Sequence, residues 1–234
     1  MPNDSAQLSL GIMTQVADVL QSVSIILACL TIILGVDAWR REFIGKRKIE
    51  LAEDVLTRFY EAKDAIARIR SPFSYSGEGG ERKKSPNEGA EASQLLDQAY
   101  VVFVRYEKEQ ELFNRLHALR YQVMARIGLA AAQPFEDIRR IVNEIFNSAR
   151  ILGSYYWPRQ GRVRMSDEEF KKHLEEMHRH EAVFWAGFDS NDPIALRVEK
   201  VISDIEAVCR PVLEERTVGF ILTEPISKIF RKKR

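Results

Sequence analysis

The sequence predicts an all-α protein in which one apolar N-terminal helix precedes a helical domain. Two features point that way. A long apolar run lies between 16 and 36, and beyond it apolar residues recur at steps of three and four through almost every stretch free of Gly and Pro. The chain has 234 residues, enough for one sizeable core, with a formal net charge of +1 and 29 % charged residues. A charge so close to zero provides no global field to draw the chain onto nucleic acid, and no nucleic-acid partner is expected. The two cysteines, Cys29 and Cys209, sit far apart in apolar stretches, which fits a reducing compartment rather than a disulfide framework.

The run VADVLQSVSIILACLTIILGV, Val16 to Val36, is about the length that crosses roughly 30 Å of hydrocarbon. A transmembrane helix is expected over 16–38, with 1–15 as a short extracytoplasmic segment. No Lys or Arg precedes Arg40, whereas Arg40, Arg41, Lys46, Arg47 and Lys48 follow the run, with Trp39 at the interfacial position. The positive-inside rule then puts the N-terminus outside and the C-terminus in the cytoplasm. A basic n-region and a cleavage site are missing, so the anchor is expected to be retained.

The cytoplasmic domain is expected over 39–216. Ile44, Leu51, Val55, Phe59, Ala62, Ile66 and Ile69 mark one helix face, and no proline separates this helix from the span, so the two are expected to be continuous. The segment 71–91, SPFSYSGEGGERKKSPNEGAE, reads as a mobile, disordered loop and as a candidate contact site. A second helix is expected from about Ala92 to Ile127. A third opens at Pro134 and stops near Tyr156, before Trp157-Pro158. Ser166-Asp167-Glu168-Glu169 is a capping-box pattern that opens a fourth. Asp192-Pro193 opens a fifth, in which Ile194, Val198, Val201, Ile205, Val208 and Val212 form a coiled-coil-like seam. Such faces pack most simply as an antiparallel bundle, although the first and last could instead pair between chains. The basic tail 217–234 suits an anionic leaflet or a solvated end.

Two groups of residues carry chemistry. HLEEMHRHE holds three of the four histidines, and His173, Glu176, His178 and His180 are the candidate metal ligands, for zinc or iron. The di-iron bundle pattern lacks its second half, since Asn114 rather than Glu stands three residues before His117. A charged helix face needs no metal, and no cofactor is assigned. Tyr156 and Trp157, next to Tyr155, precede Arg159, Arg162 and Arg164 and form a candidate basic aromatic corner for a phosphorylated or nucleic-acid ligand, unless they only close a helix corner. No hydrolase elbow, kinase signature, CxxC pair or dinucleotide fingerprint occurs, so no catalytic residue is assigned and the sequence points away from an enzyme.

The stretches FIGKRKIELAEDVLTRFYEAKDAIARIRSPFSYSGEG, RYEKEQELFNRLHALRY, RRIVNEIFNSARIL and SDEEFKKHLEEMHRHEAVFW resemble a family of bacterial single-span, membrane-anchored helical proteins. The resemblance implies a bacterial inner membrane and carries no activity or site residues. The function expected is a membrane-tethered interaction or scaffold module, with membrane lipid and a protein partner or a second copy as its contacts. The alternatives are a metal-dependent enzyme or metal-binding protein built on the histidine cluster, and a sensor of membrane or envelope stress.

Overall fold

The computed structural model describes residues 4–75, 77–187 and 191–221, and all regular structure among them is helical. In order these are α1 (Asp4–Ile69), α2 (Ala90–Lys108), α3 (Gln110–Arg126), a 3₁₀ turn (Leu129–Ala132), α4 (Gln133–Ile151), a π turn (Leu152–Tyr156), the single turn α5 (Trp157–Arg159), α6 (Asp167–Phe184) and α7 (Pro193–Ile221). Contacts divide the chain into two units, Met1–Lys48 and Ile49–Arg234.

The first unit contains the apolar part of α1, the one helix among the described residues that is long and apolar enough to cross a membrane. Its most apolar window has a mean hydropathy of 2.0, and none of that window is buried against protein. Ser22, Ser24 and Thr31, the hydroxyls that interrupt it, donate to the carbonyls of Asp18, Leu20 and Leu27, each at 2.8 Å. Trp39 stacks on Phe43, and the Arg47 guanidinium lies 5.0 Å from the Phe43 ring.

In the second unit the helical stripes meet in one core. Leu51, Val55, Phe59, Ala62, Ile66 and Ile69 of α1 are all buried. Ile138, Ile141, Ile145 and Ala149 of α4 and Ile194, Val198, Val201 and Ile205 of α7 join the same cluster. The α1 and α7 faces read above as able to pair between chains are therefore largely covered within one. Cys209 lies on the covered seam with no exposure, and burial pushes its thiol up to about 11, which makes it a small core residue rather than a nucleophile.

Both expected helix starts are present. The Ser166 hydroxyl accepts from the Glu169 N–H while the Glu169 carboxylate accepts from the Ser166 N–H, forming a capping box. Asp192 Oδ1 accepts from the N–H groups of Ile194 and Ala195 at 2.9 and 3.0 Å and caps α7. Residues 217–221 continue α7, and the rest of the expected basic tail lies outside the described residues.

Three expectations need correction. The helix expected over 92–127 breaks at Glu109, although no Gly or Pro stands there. Glu109 bonds to Arg68 Nε of α1 at 2.9 Å, and the bend lets Tyr106 of α2 stack on Phe113 of α3. The helix expected to stop near Tyr156 instead widens into the π turn and runs on through Pro158. The Trp157 N–H bonds to the Leu152 carbonyl, five residues back, so the chain accommodates a proline without ending the helix.

The segment 71–91 is the third, because arginines pin it. Arg105 of α2 donates to the Ser71 and Phe73 carbonyls, both at 2.6 Å, and grips both oxygens of Glu78 at 2.8 Å. Arg82 bonds to Glu88 and to the Ser93 carbonyl, and Lys84 pairs with Asp97 at 2.8 Å. Gly79, at φ +91°, presses on α2 so closely that a Cβ there would stand 2.1 Å from the Asp97 carbonyl oxygen. Gly79→Ala should therefore undock the segment, since the left-handed backbone alone costs a side chain roughly 1–3 kcal/mol. Limited proteolysis should show faster cleavage between 71 and 91, and an unchanged rate would rule out this docking.

Candidate functional site

The residues with the most chemistry meet at a cleft of about 320 Å³, lined by Tyr155, Tyr156, Arg159, Arg164, Met165, Glu169, Lys172, His173 and Glu176. Two helical segments build it, and the link between them adds Arg164 and Met165. The π turn and α5 supply Tyr155, Tyr156 and Arg159. The α6 face supplies Glu169, Lys172, His173 and Glu176, spaced i, i+3, i+4 and i+7 as one helical stripe requires. The capping box at Ser166 fixes where that stripe begins.

Two expected groups thus merge into one site, each losing members. From the aromatic corner, Tyr156, Arg159 and Arg164 line the cleft, but Trp157 and Arg162 do not. Trp157 is buried and donates from Nε1 to Glu181 at 2.9 Å, while Arg162 donates to the Trp157 carbonyl and pairs with Glu91. From the histidine group, His173 and Glu176 line the cleft. The metal expectation is not supported: among the described residues no three His, Cys, Asp or Glu side chains are placed to hold an ion. His173 and His180 sit two helical turns apart, roughly 10.5 Å along the axis. The Tyr156 ring occupies the interval, 5.3 Å from one imidazole and 5.5 Å from the other. His180 Nδ1 faces the Ser148 hydroxyl at 3.1 Å, His178 is exposed, and Glu176 is paired with Arg179.

The cleft is basic in its unpaired groups. Arg159, Arg164 and Lys172 enter no ion pair among the described residues. The Arg159 guanidinium lies 4.7 Å from the Tyr155 ring. Of the two carboxylates, Glu176 is taken by Arg179, and the Ser166 N–H and hydroxyl hold the Glu169 carboxyl below its usual range. Burial, then Glu176 and Tyr155, push the Tyr156 phenol up, so it keeps its proton. His173 is only 7 % exposed and its Nε2 has no hydrogen-bond partner, and the buried Nε of Arg159 also has none. Lys172 was the member hardest to find by sequence, where it reads as one more charge on a solvated face.

An apolar cavity of about 200 Å³ lies elsewhere in the same unit, between Phe59, Phe113, Phe135 and Phe146, with Arg120 and Glu136 paired at 2.6 Å among its lining residues. It falls below the roughly 300 Å³ at which ligand pockets begin and has its charges paired. Comparison of the chain with protein-family models, with curated proteins and with solved structures finds no match.

Proposed function

We propose that this chain is a membrane-tethered interaction module whose pinned segment, 71–91, holds a protein partner. In this reading α1 crosses a bacterial inner membrane over 16–38, and 39–216 is a cytoplasmic antiparallel bundle. The observation that carries the partner site is the contrast within the segment: its backbone is clamped by Arg105, yet Phe73 is 75 % and Tyr75 87 % exposed. Aromatic side chains anchor interfaces, and a segment ordered beforehand loses little entropy when a partner arrives. The membrane reading is supported by the uncovered apolar window, by hydroxyls that satisfy themselves on the helix backbone, and by the basic flank at Arg40, Arg41, Lys46, Arg47 and Lys48. The covered α1 and α7 seams disfavour a second copy as the partner.

Two measurements test it. A C-terminal alkaline phosphatase fusion should be inactive and a fluorescent-protein fusion bright, and the reverse pattern would overturn the orientation. A photoreactive phenylalanine in place of Tyr75, activated in intact cells, should give one discrete heterologous adduct. No adduct, or one of homodimer mass, would overturn the partner site.

A further inference from the structure

We infer that the cleft between the π turn and α6 binds a phosphate monoester, with Arg159, Arg164 and Lys172 as its cationic wall. This inference is independent of the proposed role of the 71–91 segment. Three cations converge on a concave surface and none is in an ion pair among the described residues, while both neighbouring carboxylates are already engaged, Glu176 by Arg179 and Glu169 chiefly by the α6 cap. Unpaired charge concentrated in this way favours an anion of more than one charge. Guanidinium groups match a tetrahedral oxoanion through paired N–H donors, and lysine adds a compact charge.

The aromatic lining of the cleft fits the same ligand. The exposed Tyr155 ring, under Arg159, gives the remainder of the ligand an aromatic surface to lie on. A volume of about 320 Å³ leaves room beyond the phosphate for a small organic body. The same phosphomonoester chemistry occurs in a soluble metabolite and in a lipid headgroup such as phosphatidic acid.

The test uses the full chain in phosphatidylcholine nanodiscs, titrated with inorganic phosphate by calorimetry. Saturable binding near one per chain is expected in the millimolar range or tighter. The double variant Arg164→Gln/Lys172→Gln, which changes only exposed side chains and should melt like the parent, should weaken it about tenfold or more. His178→Gln, outside the cleft, should leave it unchanged. Acetate at equal concentration should not compete. No saturable binding below about 10 mM, equal affinity in the double variant, or equal competition by acetate would each overturn the site. Nanodiscs containing phosphatidic acid identify the source. Loss of phosphate binding there, in the parent protein, assigns a lipid headgroup, and unchanged binding assigns a soluble ligand.

Discussion

Replacing Arg70 with methionine should destabilise the helical domain by about 3–5 kcal/mol, the cost of removing one member of a buried ion pair. Arg70 is 2 % exposed at the end of α1. Its Nη1 meets Asp192 Oδ1 at 2.9 Å, and its remaining donors reach the carbonyls of Val183, Ala182 and Trp185 at 2.8, 2.8 and 2.6 Å. One guanidinium thus serves the C-terminal carbonyls of α6 and the carboxylate that caps α7. In Arg70→Met those carbonyls lose their donor, and Asp192 remains as an uncompensated buried charge. Lysine should not rescue, because one ammonium cannot span a fork of four acceptors. Urea unfolding of the full chain in detergent would measure the loss, and a change under about 1 kcal/mol, the size of an ordinary exposed ion pair, would show the latch to be dispensable.

The same latch sets an acid limit. Burial pushes the Asp192 carboxyl up, but Arg70 and the N–H groups of Ala195 and Gly187 outweigh it and hold the group below its usual range. A depressed carboxylate contributes fully above its unfolded value, about 3.9, and that contribution is lost as pH falls through the folded value. The pair is therefore intact at neutral pH and fails only in acid.

Gly153→Ala should cost about 1–3 kcal/mol, the range for overpacking a filled core. Gly153 is buried in the π turn, and a Cβ there would stand 2.5 Å from the Ala99 Cβ of α2. Neither neighbour can rotate away, because a Cβ is fixed to the backbone. Ala99→Gly in the same chain should recover part of the loss, although a glycine inside α2 costs roughly 1 kcal/mol itself. The thermal midpoint of the double variant should exceed that of Gly153→Ala alone. Strictly additive losses would show that the two residues do not meet.

The apolar stripes were legible because burial follows helical period: the residues chosen on α1 from Leu51 on, on α4 and on the first turns of α7 are those in the core, whereas Ile44, chosen on the same α1 face, is exposed. The caps at Ser166 and Asp192 were legible because both partners lie within three residues. What escaped depends on partners distant in sequence. Arg68 reaches Glu109, Arg105 reaches Ser71 and Phe73, and Arg70 reaches α6 and α7, and no local pattern distinguishes these arginines from solvated ones. The cleft was half legible. Tyr156, Arg159 and Arg164 read as one group and His173 with Glu176 as another, but their union depends on how the chain returns between α5 and α6.

The π turn has a consequence for insertions and deletions. It amounts to a helix carrying one surplus residue, and a residue of α-helix is worth about 100° of rotation. Removing Ser154 from within it would restore the ordinary hydrogen-bond ladder and leave everything after it nearly in phase, because the wider turn already absorbs that residue. Removing one position from α4 instead would carry Tyr156 and Arg159 off the cleft wall together, so the orientation of that wall depends on the phase of one helix more than on any single contact within it.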